Sequence, residues 1–425
     1  MEARLISSFE AAAKDKSVPG IGAMLVNSKG EVLFETSHGT LNLDDPASPR
    51  FTKDTMLHVF SCTKLLTSIA ALQLYEQGML SLSDPVEKYV PRIAKIQVIE
   101  SMSADGPILR TPKFKPTILQ LLTHTAGFSY DSFDPLTLQY RMYTGRKPGG
   151  YSAPSEYKDF ETPYIADPGT KYVYGVNTDW MGFVIEAITG QNLAEYLDQN
   201  VLKPLGMHNT GPVPDPSKPT LVIHIPVHGK LVAVPASKPT DKPGVHGGGS
   251  FLYSTLEDYA KLLATMLNNG TSPSTGEAIL KPETVEHYLF TDQLPPKVDR
   301  SQLGEISTAV PLDCAEGGFF PSLPLSSRGW SCGLLLNHED LPFGRKKGSG
   351  GWAGLGNLYY WIDPTANVAG IIGTGTLPFM NPTVLKLFDE LERVAYGHEP
   401  AGDKADPRTM NHRVGPPLDS DRAKM

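Results

Sequence analysis

The sequence predicts an α+β fold, in which an antiparallel β-sheet is flanked by N- and C-terminal helices and a mostly helical subdomain is inserted. Three observations carry this prediction. Strand patterns cluster near both ends of the chain, each terminal region also contains an amphipathic helix pattern, and helix patterns dominate residues 61–270. Strands from the two ends would have to share one sheet, with the helices packed against it.

The N-terminal region is predicted to form a helix followed by a β-hairpin. Residues 1–14 place apolar side chains on one helical face and lack the continuous apolar run of a signal peptide. Two strand patterns, Ile21–Val26 and Glu31–Thr36, then flank the turn-forming residues 27–30.

The C-terminal region is predicted to return to the sheet and end in a helix. Its strand patterns are Trp330–Leu336, Asn357–Ile362 and Val368–Gly373. A closing helix is expected after Asn381, because asparagine is a favoured N-cap and Pro382 suits the first helical position. The glycine-dense residues 348–356 read as a strand edge, where a ligand or another backbone approaches closely.

Helix patterns in the middle of the chain begin at Ser61 and recur at 118–122, 178–189, 194–201 and 257–267. Ser254 and Glu257 predict a capping box for the last of them. Residues 213–244 read as a loop. We expect one catalytic domain over 1–397, with a sheet region at about 1–60 and 326–397, a helical region at 61–270, an excursion at 271–325 and a disordered tail at 398–425.

Composition and charge exclude several classes of protein. A net charge of −8 without a basic stripe argues against nucleic-acid binding. Three scattered cysteines are too few for a disulfide framework or a zinc site, and no run reaches the ~18 apolar residues of a membrane span. We therefore expect a cytoplasmic protein without a metal. The final triplet, Ala423-Lys424-Met425, resembles the S-K-L peroxisomal address, although a polar tail also matches such a loose pattern by chance.

The first candidate for chemistry is the pair Ser61 and Lys64. Residues three apart on a helix share a face, so the lysine ammonium can lie beside the serine hydroxyl. The serine falls at the start of the helix, where unpaired backbone N–H groups favour developing negative charge. This S-x-x-K pattern is how β-lactamases and penicillin-binding proteins present a nucleophilic serine.

Further stretches extend this pattern in order along the chain, and with them the sequence resembles the serine β-lactamase and penicillin-recognising superfamily. Within it, the chain is similar to class C-like esterases and to fungal transesterases of the lovastatin acyltransferase type. The stretches that carry the resemblance are residues 60–67, 121–130, 173–180, 247–251 and 357–364.

The resemblance implies roles for individual residues. Ser61 would be the acylated nucleophile, Lys64 its activating partner and Tyr174 the general base, with Tyr172 as a weaker rival. An ammonium beside a tyrosine favours its phenolate, which could take the serine proton. The oxyanion hole would combine the Ser61 N–H with that of Leu355, the residue after Gly354.

Two departures from the β-lactamase pattern narrow the range of expected substrates. The lysine of the Lys-Thr-Gly motif is replaced in Trp352-Ala353-Gly354, so an aromatic wall stands where a cation would attract a β-lactam carboxylate. The asparagine of Tyr-x-Asn comes one place late, at Asn177. Both changes resemble the esterase and transesterase branch and argue against efficient penicillin hydrolysis.

The resemblance implies an acyltransferase that moves an acyl group through an acyl-Ser61 ester to a small-molecule alcohol, without a cofactor. Its donor would be an ester or a thioester on a carrier protein or coenzyme A, in a fungal secondary-metabolite pathway, and we expect a monomer. The alternatives are a carboxylesterase using the same acyl-enzyme and a non-catalytic binding module, which the intact Ser61, Lys64 and Tyr174 disfavour.

Several other residues have both a functional and a structural interpretation. Cys62 and His124 are predicted to be structural, and Pro226 argues against a zinc site at His224 and His228.

His58 could contact substrate, and the glycine run after His246 is expected to approach the cap at Ser254. Trp352 is predicted to line the pocket rather than the core. An aromatic set could line the pocket or pack in a surface loop, namely Phe128, Tyr130, Phe133, Tyr140 and Tyr143.

Overall fold

The computed structural model describes residues 1–146, 156–234, 245–303, 307–315 and 325–401. Most of the tail predicted to be disordered, including the C-terminal triplet, lies outside the described residues. The strands are β1 (Gly20–Val26), β2 (Val32–Gly39), β3 (Leu57–His58), β4 (Val98–Ser103), β5 (Gly106–Arg110), β6 (His224–Val227), β7 (Lys230–Ala233), β8 (Tyr253–Ser254), β9 (Arg328–Trp330), β10 (Leu335–Asn337), β11 (Gly350–Gly354), β12 (Leu358–Asp363) and β13 (Val368–Thr374).

The helices follow the predicted distribution. They are α1 (Glu2–Lys14), α2 (Thr63–Glu76), α3 (Ile118–Leu122), α4 (Pro135–Tyr143), α5 (Asn177–Thr189), α6 (Leu193–Leu197), α7 (Leu256–Leu267), α8 (Pro282–Thr284) and α9 (Pro382–Ala395). None of the helices in the described ranges is long and apolar enough to cross a membrane.

Both ends of the chain contribute to one seven-stranded antiparallel sheet, as the sequence predicts. Its strand order is β2-β1-β13-β12-β11-β10-β9, so β1 pairs with β13 although they are far apart in sequence. Asn381 caps α9 as expected, because its side chain accepts hydrogen bonds from the N–H groups of Thr383 and Val384 at 3.0 and 3.3 Å. The α+β prediction is confirmed.

Helices cover the sheet on both faces. Successive side chains of a strand point to opposite faces, and β12 shows this clearly. Tyr359 and Trp361 pack against Phe388 of α9, with ring centroids 5.4 Å apart in each case. Tyr360, between them, packs against Tyr259 of α7 at 5.3 Å. Helix α9, with α1 packed beside it, therefore covers one face and α7 the other.

Helix α2 is the central element of the helical region. All of its residues from Thr63 to Leu74 are buried, and it packs against α5. A helix that is buried around its whole circumference lies in the interior of a protein rather than on its surface. Because α2 is fixed in the interior, the turn that precedes it, which carries Ser61, is fixed in position as well.

The structure corrects two of the predicted strands. Residues 330–336 do not form one strand, because Ser331 N–H donates to Leu334 O at 2.9 Å and the Ser331 side chain accepts from Leu334 N–H at 3.0 Å, closing a turn between β9 and β10. The glycine-dense β11 lies inside the sheet, between β10 and β12, rather than at its edge.

Other corrections concern the middle of the chain. The cap of α7 is Thr255, whose hydroxyl accepts from Asp258 N–H at 3.1 Å, rather than Ser254 with Glu257. The middle also contains two hairpins and the helix α4, none of which the sequence predicts, and the β6–β7 hairpin lies within the expected 213–244 loop. Residues 235–244 of that loop are outside the described ranges.

Candidate active site

Ser61 lies in a single 3₁₀ turn, Phe60–Cys62, that leads directly into α2. Phe60, the residue before it, has a φ of 45°. A bulky residue adopts this left-handed conformation at a cost of roughly 1–3 kcal/mol, so the surrounding packing must hold the turn in place. Ser61 itself is partly exposed, while Lys64 is only 2% exposed.

The spacing of Ser61 and Lys64 brings their side chains together as predicted. Lys64 Nζ donates to Ser61 Oγ at 3.1 Å, to the Tyr130 hydroxyl at 3.0 Å and to the Gly249 carbonyl oxygen at 2.8 Å. An ammonium has three N–H donors, so these contacts use all of them. The geometry therefore corresponds to a protonated lysine with its full set of acceptors.

Tyr174 lies against the same ammonium, but through its ring. Lys64 Nζ is 4.9 Å from the centroid of the Tyr174 ring, a cation–π distance. The Tyr174 hydroxyl oxygen accepts a hydrogen bond from Trp352 Nε1 at 3.2 Å. The structure thus brings Ser61, Lys64, Tyr174 and Trp352 together at one site.

Trp352 is more enclosed than the predicted pocket wall. Its side chain is 2% exposed and packs edge-on against Trp330, with ring centroids 4.5 Å apart. It also contacts the Tyr174 ring at 4.9 Å. The indole at the lysine position of the motif therefore packs against the Tyr174 ring in addition to donating to its hydroxyl oxygen.

Tyr172 is placed differently from Tyr174. It is 1% exposed, and its ring packs against Trp330 at 5.3 Å and His124 at 6.0 Å. Burial raises the pKa of Tyr172 well above its usual range, and its hydroxyl has no hydrogen-bond partner among the described residues. These surroundings oppose ionisation of Tyr172.

Gly354, at the end of β11, allows the sheet to approach the serine turn. A Cβ atom at this position would lie 2.5 Å from the Val59 carbonyl oxygen and 3.3 Å from Cys62 Sγ, so only glycine fits without a shift. Gly356 lies close to the Phe60 ring, where a Cβ would be 3.0 Å from the nearest ring atom. The half-buried Leu355 lies between these two contacts, next to the turn that carries Ser61.

The site contains three residues that the sequence interpretation missed in these roles: Tyr130, Asp179 and Gly249. The Tyr130 hydroxyl donates to Asp179 Oδ2 at 3.2 Å, and Gly249 N–H donates to Asp179 Oδ1 at 3.0 Å. Burial, reinforced by the Asp179 carboxylate, raises the pKa of Tyr130 well above its usual range. Each residue belongs to a stretch that carries the resemblance, and this was the available signal.

The glycine run after His246 therefore packs around the site rather than around the α7 cap. The Gly248 carbonyl oxygen accepts from Thr67 Oγ1 at 2.7 Å, one turn beyond Lys64 on α2. A Cβ at Gly247 or Gly249 would lie 2.6 Å from an Asp179 oxygen.

Two residues near Ser61 have surroundings that indicate a structural role. Cys62 is fully buried and its thiol pKa is raised by that burial, so it lacks the thiolate character of a reactive cysteine. His58 donates from Nε2 to the Ser250 carbonyl oxygen at 2.8 Å and lies between the rings of Phe60 and Tyr253. Burial lowers the pKa of His58 to about 4, which keeps it neutral near pH 7.

Two further histidines, His124 and His224, form hydrogen bonds within the fold. His124 Nδ1 lies 3.0 Å from Asn177 Nδ2 and so acts as an acceptor. His224 donates from Nδ1 to the Val222 carbonyl oxygen at 2.9 Å and accepts from Leu43 N–H at Nε2 at 3.1 Å. Both nitrogens of His224 are therefore occupied and cannot bind a metal.

The aromatic set after Gly127 is divided among several environments. Phe128 is fully buried and stacks on Trp180 at 5.6 Å, whereas Tyr143 is 58% exposed at the end of α4. Phe133 lies 5.9 Å from the Tyr174 ring, and Tyr140 is half-buried. Of this set, Tyr130 and Phe133 belong to the site.

Comparison with curated proteins gives relatives that act on acyl groups. The chain is 30% identical to the acyltransferase calJ of Penicillium decumbens over 80% of this chain and 81% of that protein. It is 27% identical to monacolin J acid methylbutanoyltransferase of Aspergillus terreus, over 93% and 96%. It is also 28% identical to lovastatin esterase of Penicillium rubens, over 86% and 90%.

The structural comparison and the family model point to the same group of proteins as these relatives. The structure of a simvastatin synthase (LovD) variant from Aspergillus terreus superposes with a TM-score of 0.79 and 26% identity, over 93% of this chain and 94% of that one. The family model described as Beta-lactamase matches residues 5–384. The chain therefore belongs to the beta-lactamase family.

Proposed function

We propose that this chain is a serine acyltransferase that moves an acyl group through an acyl-Ser61 ester to the hydroxyl of a small molecule. The observation that carries the proposal is the 3.1 Å hydrogen bond from Lys64 Nζ to Ser61 Oγ, with the Tyr174 ring 4.9 Å from the same nitrogen. A nucleophile within hydrogen-bond reach of an activating group, with a third group beside it, is the usual arrangement of covalent catalysis.

Hydrogen bonding favours Tyr174 over Tyr130 as the general base. The Tyr130 oxygen accepts from Lys64 while its proton is donated to Asp179, so this hydroxyl is committed on both sides. The Tyr174 oxygen instead accepts from the Trp352 indole, which stabilises a phenolate. The buried hydroxyl of Tyr172 lacks any such donor among the described residues.

The reaction then has two balanced halves. Tyr174 takes the Ser61 proton as Oγ attacks the acyl carbonyl, and it returns that proton to the leaving thiol or alcohol when the donor bond breaks. In the second half, the acceptor hydroxyl gives its proton to Tyr174 and attacks the acyl-Ser61 ester. Ser61 leaves with the proton, and the product is a new ester.

Backbone N–H groups of Ser61 and Leu355 would stabilise the negative oxygen that forms in each half. The absence of a side chain at Gly354 supports this assignment, because it lets the end of β11 reach the serine turn. Loss of one such donor typically lowers a rate by about 10²–10³.

The donor and acceptor are proposed from chemistry and from the relatives. The lack of a lysine at position 352 removes the cation that would bind a substrate carboxylate, which favours an apolar acyl group. An acyl thioester on a carrier protein or coenzyme A is the proposed donor, and a secondary-metabolite alcohol is the proposed acceptor. Named relatives include a methylbutanoyltransferase acting on monacolin J acid.

A carboxylesterase is the second candidate, because lovastatin esterase is among the relatives. The same acyl-enzyme would be attacked by water instead of an alcohol. Exclusion of water from the acyl-Ser61 ester decides between the two outcomes.

Two measurements test the proposal. A fluorophosphonate should add one adduct to the chain by intact mass, located at Ser61, and Ser61→Ala should lose both adduct and turnover. A 2-methylbutanoyl thioester should then be incubated with and without monacolin J acid as the alcohol probe. An ester product supports the transferase, free acid alone supports the esterase, and an unlabelled Ser61 contradicts both.

Location and assembly remain predictions. The sequence favours a cytoplasmic monomer, with the C-terminal triplet as a peroxisomal alternative. Fluorescence microscopy of the full chain with and without that triplet distinguishes the two locations.

A further inference from the structure

A buried carboxylate lies one hydroxyl group away from Lys64. Asp179, in the first turn of α5, is 1% exposed, and Lys64 is 2% exposed. The Tyr130 hydroxyl joins them, 3.0 Å from Lys64 Nζ and 3.2 Å from Asp179 Oδ2. The three side chains form one continuous hydrogen-bonded chain.

Lys64 needs a counter-charge in this position. Its hydrogen-bond partners are the hydroxyl groups of Ser61 and Tyr130 and a carbonyl oxygen, all of them uncharged. Within the described ranges, no carboxylate forms a direct ion pair with it. A buried ammonium is costly unless an opposite charge lies nearby, and Asp179 is placed to supply one.

The backbone of Gly249 forms hydrogen bonds with both Asp179 and Lys64. Its N–H donates to Asp179 Oδ1 at 3.0 Å, and its carbonyl oxygen accepts from Lys64 at 2.8 Å. Side chains at Gly247 and Gly249 would collide with the carboxylate, since each Cβ would lie 2.6 Å from one of its oxygens. The backbone is thus shaped around an anion on one side and a cation on the other.

Other titratable groups lie near Lys64 or next to the residues that contact it. They are Cys62 before α2, His124, Tyr130 and Asp131 in the segment after α3, and Tyr172 and Tyr174 before α5. Asp131 is paired with Arg141 at 3.0 Å, and burial lowers the pKa of His124 well below its usual range. Asp179 is therefore the anion whose charge acts on Lys64 most directly.

We propose that Asp179 is a positioning residue of the acyl-transfer site, which holds Lys64 as an ammonium through Tyr130 and thereby sets the pH above which Ser61 is activated. This inference rests on the proposed function. An anion beside a coupled acid–base pair favours its protonated form, so the activating deprotonation occurs at a higher pH than it would without the carboxylate.

The pH dependence of Ser61 labelling by a fluorophosphonate tests the inference without knowledge of the natural substrate. In Asp179→Asn, the acidic limb of the labelling rate should move to lower pH by about one unit or more, as expected for removing a charge at this separation. Glu186→Gln is the matched control. It removes one carboxylate from the same helix, and the amide oxygen can still accept from Leu193 N–H. Its limb should not move.

Tyr130→Phe keeps the inference testable if Asp179→Asn fails to fold. It keeps the ring and removes the hydroxyl through which the carboxylate holds the ammonium, so its limb should move in the same direction. A double variant should move no further than Asp179→Asn alone. A labelled chain whose limb is unmoved in the variants that fold overturns the role of Asp179 only, whereas an unlabelled Ser61 in the unmodified chain contradicts the proposed function itself.

Discussion

The indole N–H of Trp352 donates to the hydroxyl oxygen of Tyr174 at 3.2 Å. At the position where β-lactamases carry a lysine for the substrate, this chain has a donor directed at its own tyrosine. We therefore expect Trp352→Phe to lower kcat/KM by about tenfold to a hundredfold, because a hydrogen bond to a charged group is worth about 1.5–3 kcal/mol.

Trp330→Phe is the matched control for this prediction. It removes an indole N–H of similar burial that donates to the Leu122 carbonyl oxygen at 3.2 Å instead. Both variants should lose some thermal stability, but only Trp352→Phe should lose activity beyond that. Equal losses of kcat/KM in the two variants would show that the indole has a packing role alone.

The two neighbouring tyrosines should differ sharply on loss of their hydroxyl groups. Tyr174→Phe removes the proposed general base, and such groups contribute about 10²–10⁴ to a rate. Tyr172→Phe removes a buried hydroxyl without a partner among the described residues, so activity should be retained and stability unchanged or slightly raised. Steady-state kinetics and urea unfolding of both variants check this, and an active Tyr174→Phe would exclude it as the base.

Gly354→Ala should impair the site through the backbone. Its Cβ would lie 2.5 Å from the Val59 carbonyl oxygen, so β11 or the serine turn must move. We expect at least a tenfold loss in fluorophosphonate labelling, because donors of an oxyanion hole must be correctly placed. Gly211→Ala is the control, since its Cβ would meet only one atom, at 4.0 Å. Normal labelling in Gly354→Ala would contradict the close approach.

His58 should make the protein less stable in acid. Burial lowers its pKa to about 4 in the folded state, against an ordinary value of 6.5. The unfolded chain binds the proton first, so this contribution to stability is complete above pH 6.5 and is lost as the pH falls towards 4. Between pH 7 and pH 4.5 the loss is about 2 kcal/mol.

Urea unfolding of His58→Gln measures this contribution. The glutamine amide can still donate to the Ser250 carbonyl oxygen but does not titrate in this range. The variant should therefore lose less stability between pH 7 and pH 4.5 than the unmodified chain. An identical loss in both would assign the acid sensitivity to the other buried histidines.

The parts of the fold and of the site that follow from local spacing were predictable from the sequence. Ser61 and Lys64 meet because they are three residues apart at the start of a helix, and Asn381 caps α9 because of its position before Pro382. The contact of Lys64 with Tyr130 and Gly249 joins segments that are 66 and 185 residues apart. Periodicity describes one segment at a time, so these pairings could not be predicted.

Trp352 shows the same limit at a single residue. The sequence places an aromatic side chain at the motif position but does not say which way the indole points. In the structure the indole packs against Trp330, which lies on a strand that the sequence pattern merges with the next one. The turn at Ser331–Leu334 separates this region into two strands of the sheet, β9 and β10.

The pairing of β1 with β13 also determines when the proposed active site can be assembled during synthesis of the chain. Ile21 lies opposite Thr374, so the sheet cannot close until almost the entire chain has left the ribosome. The serine turn is translated early, but β11, which carries Gly354 to it, follows almost three hundred residues later. A nascent chain would thus hold Ser61 and Lys64 without the strand that completes the proposed oxyanion hole, so the proposed site would be assembled only when translation is nearly finished.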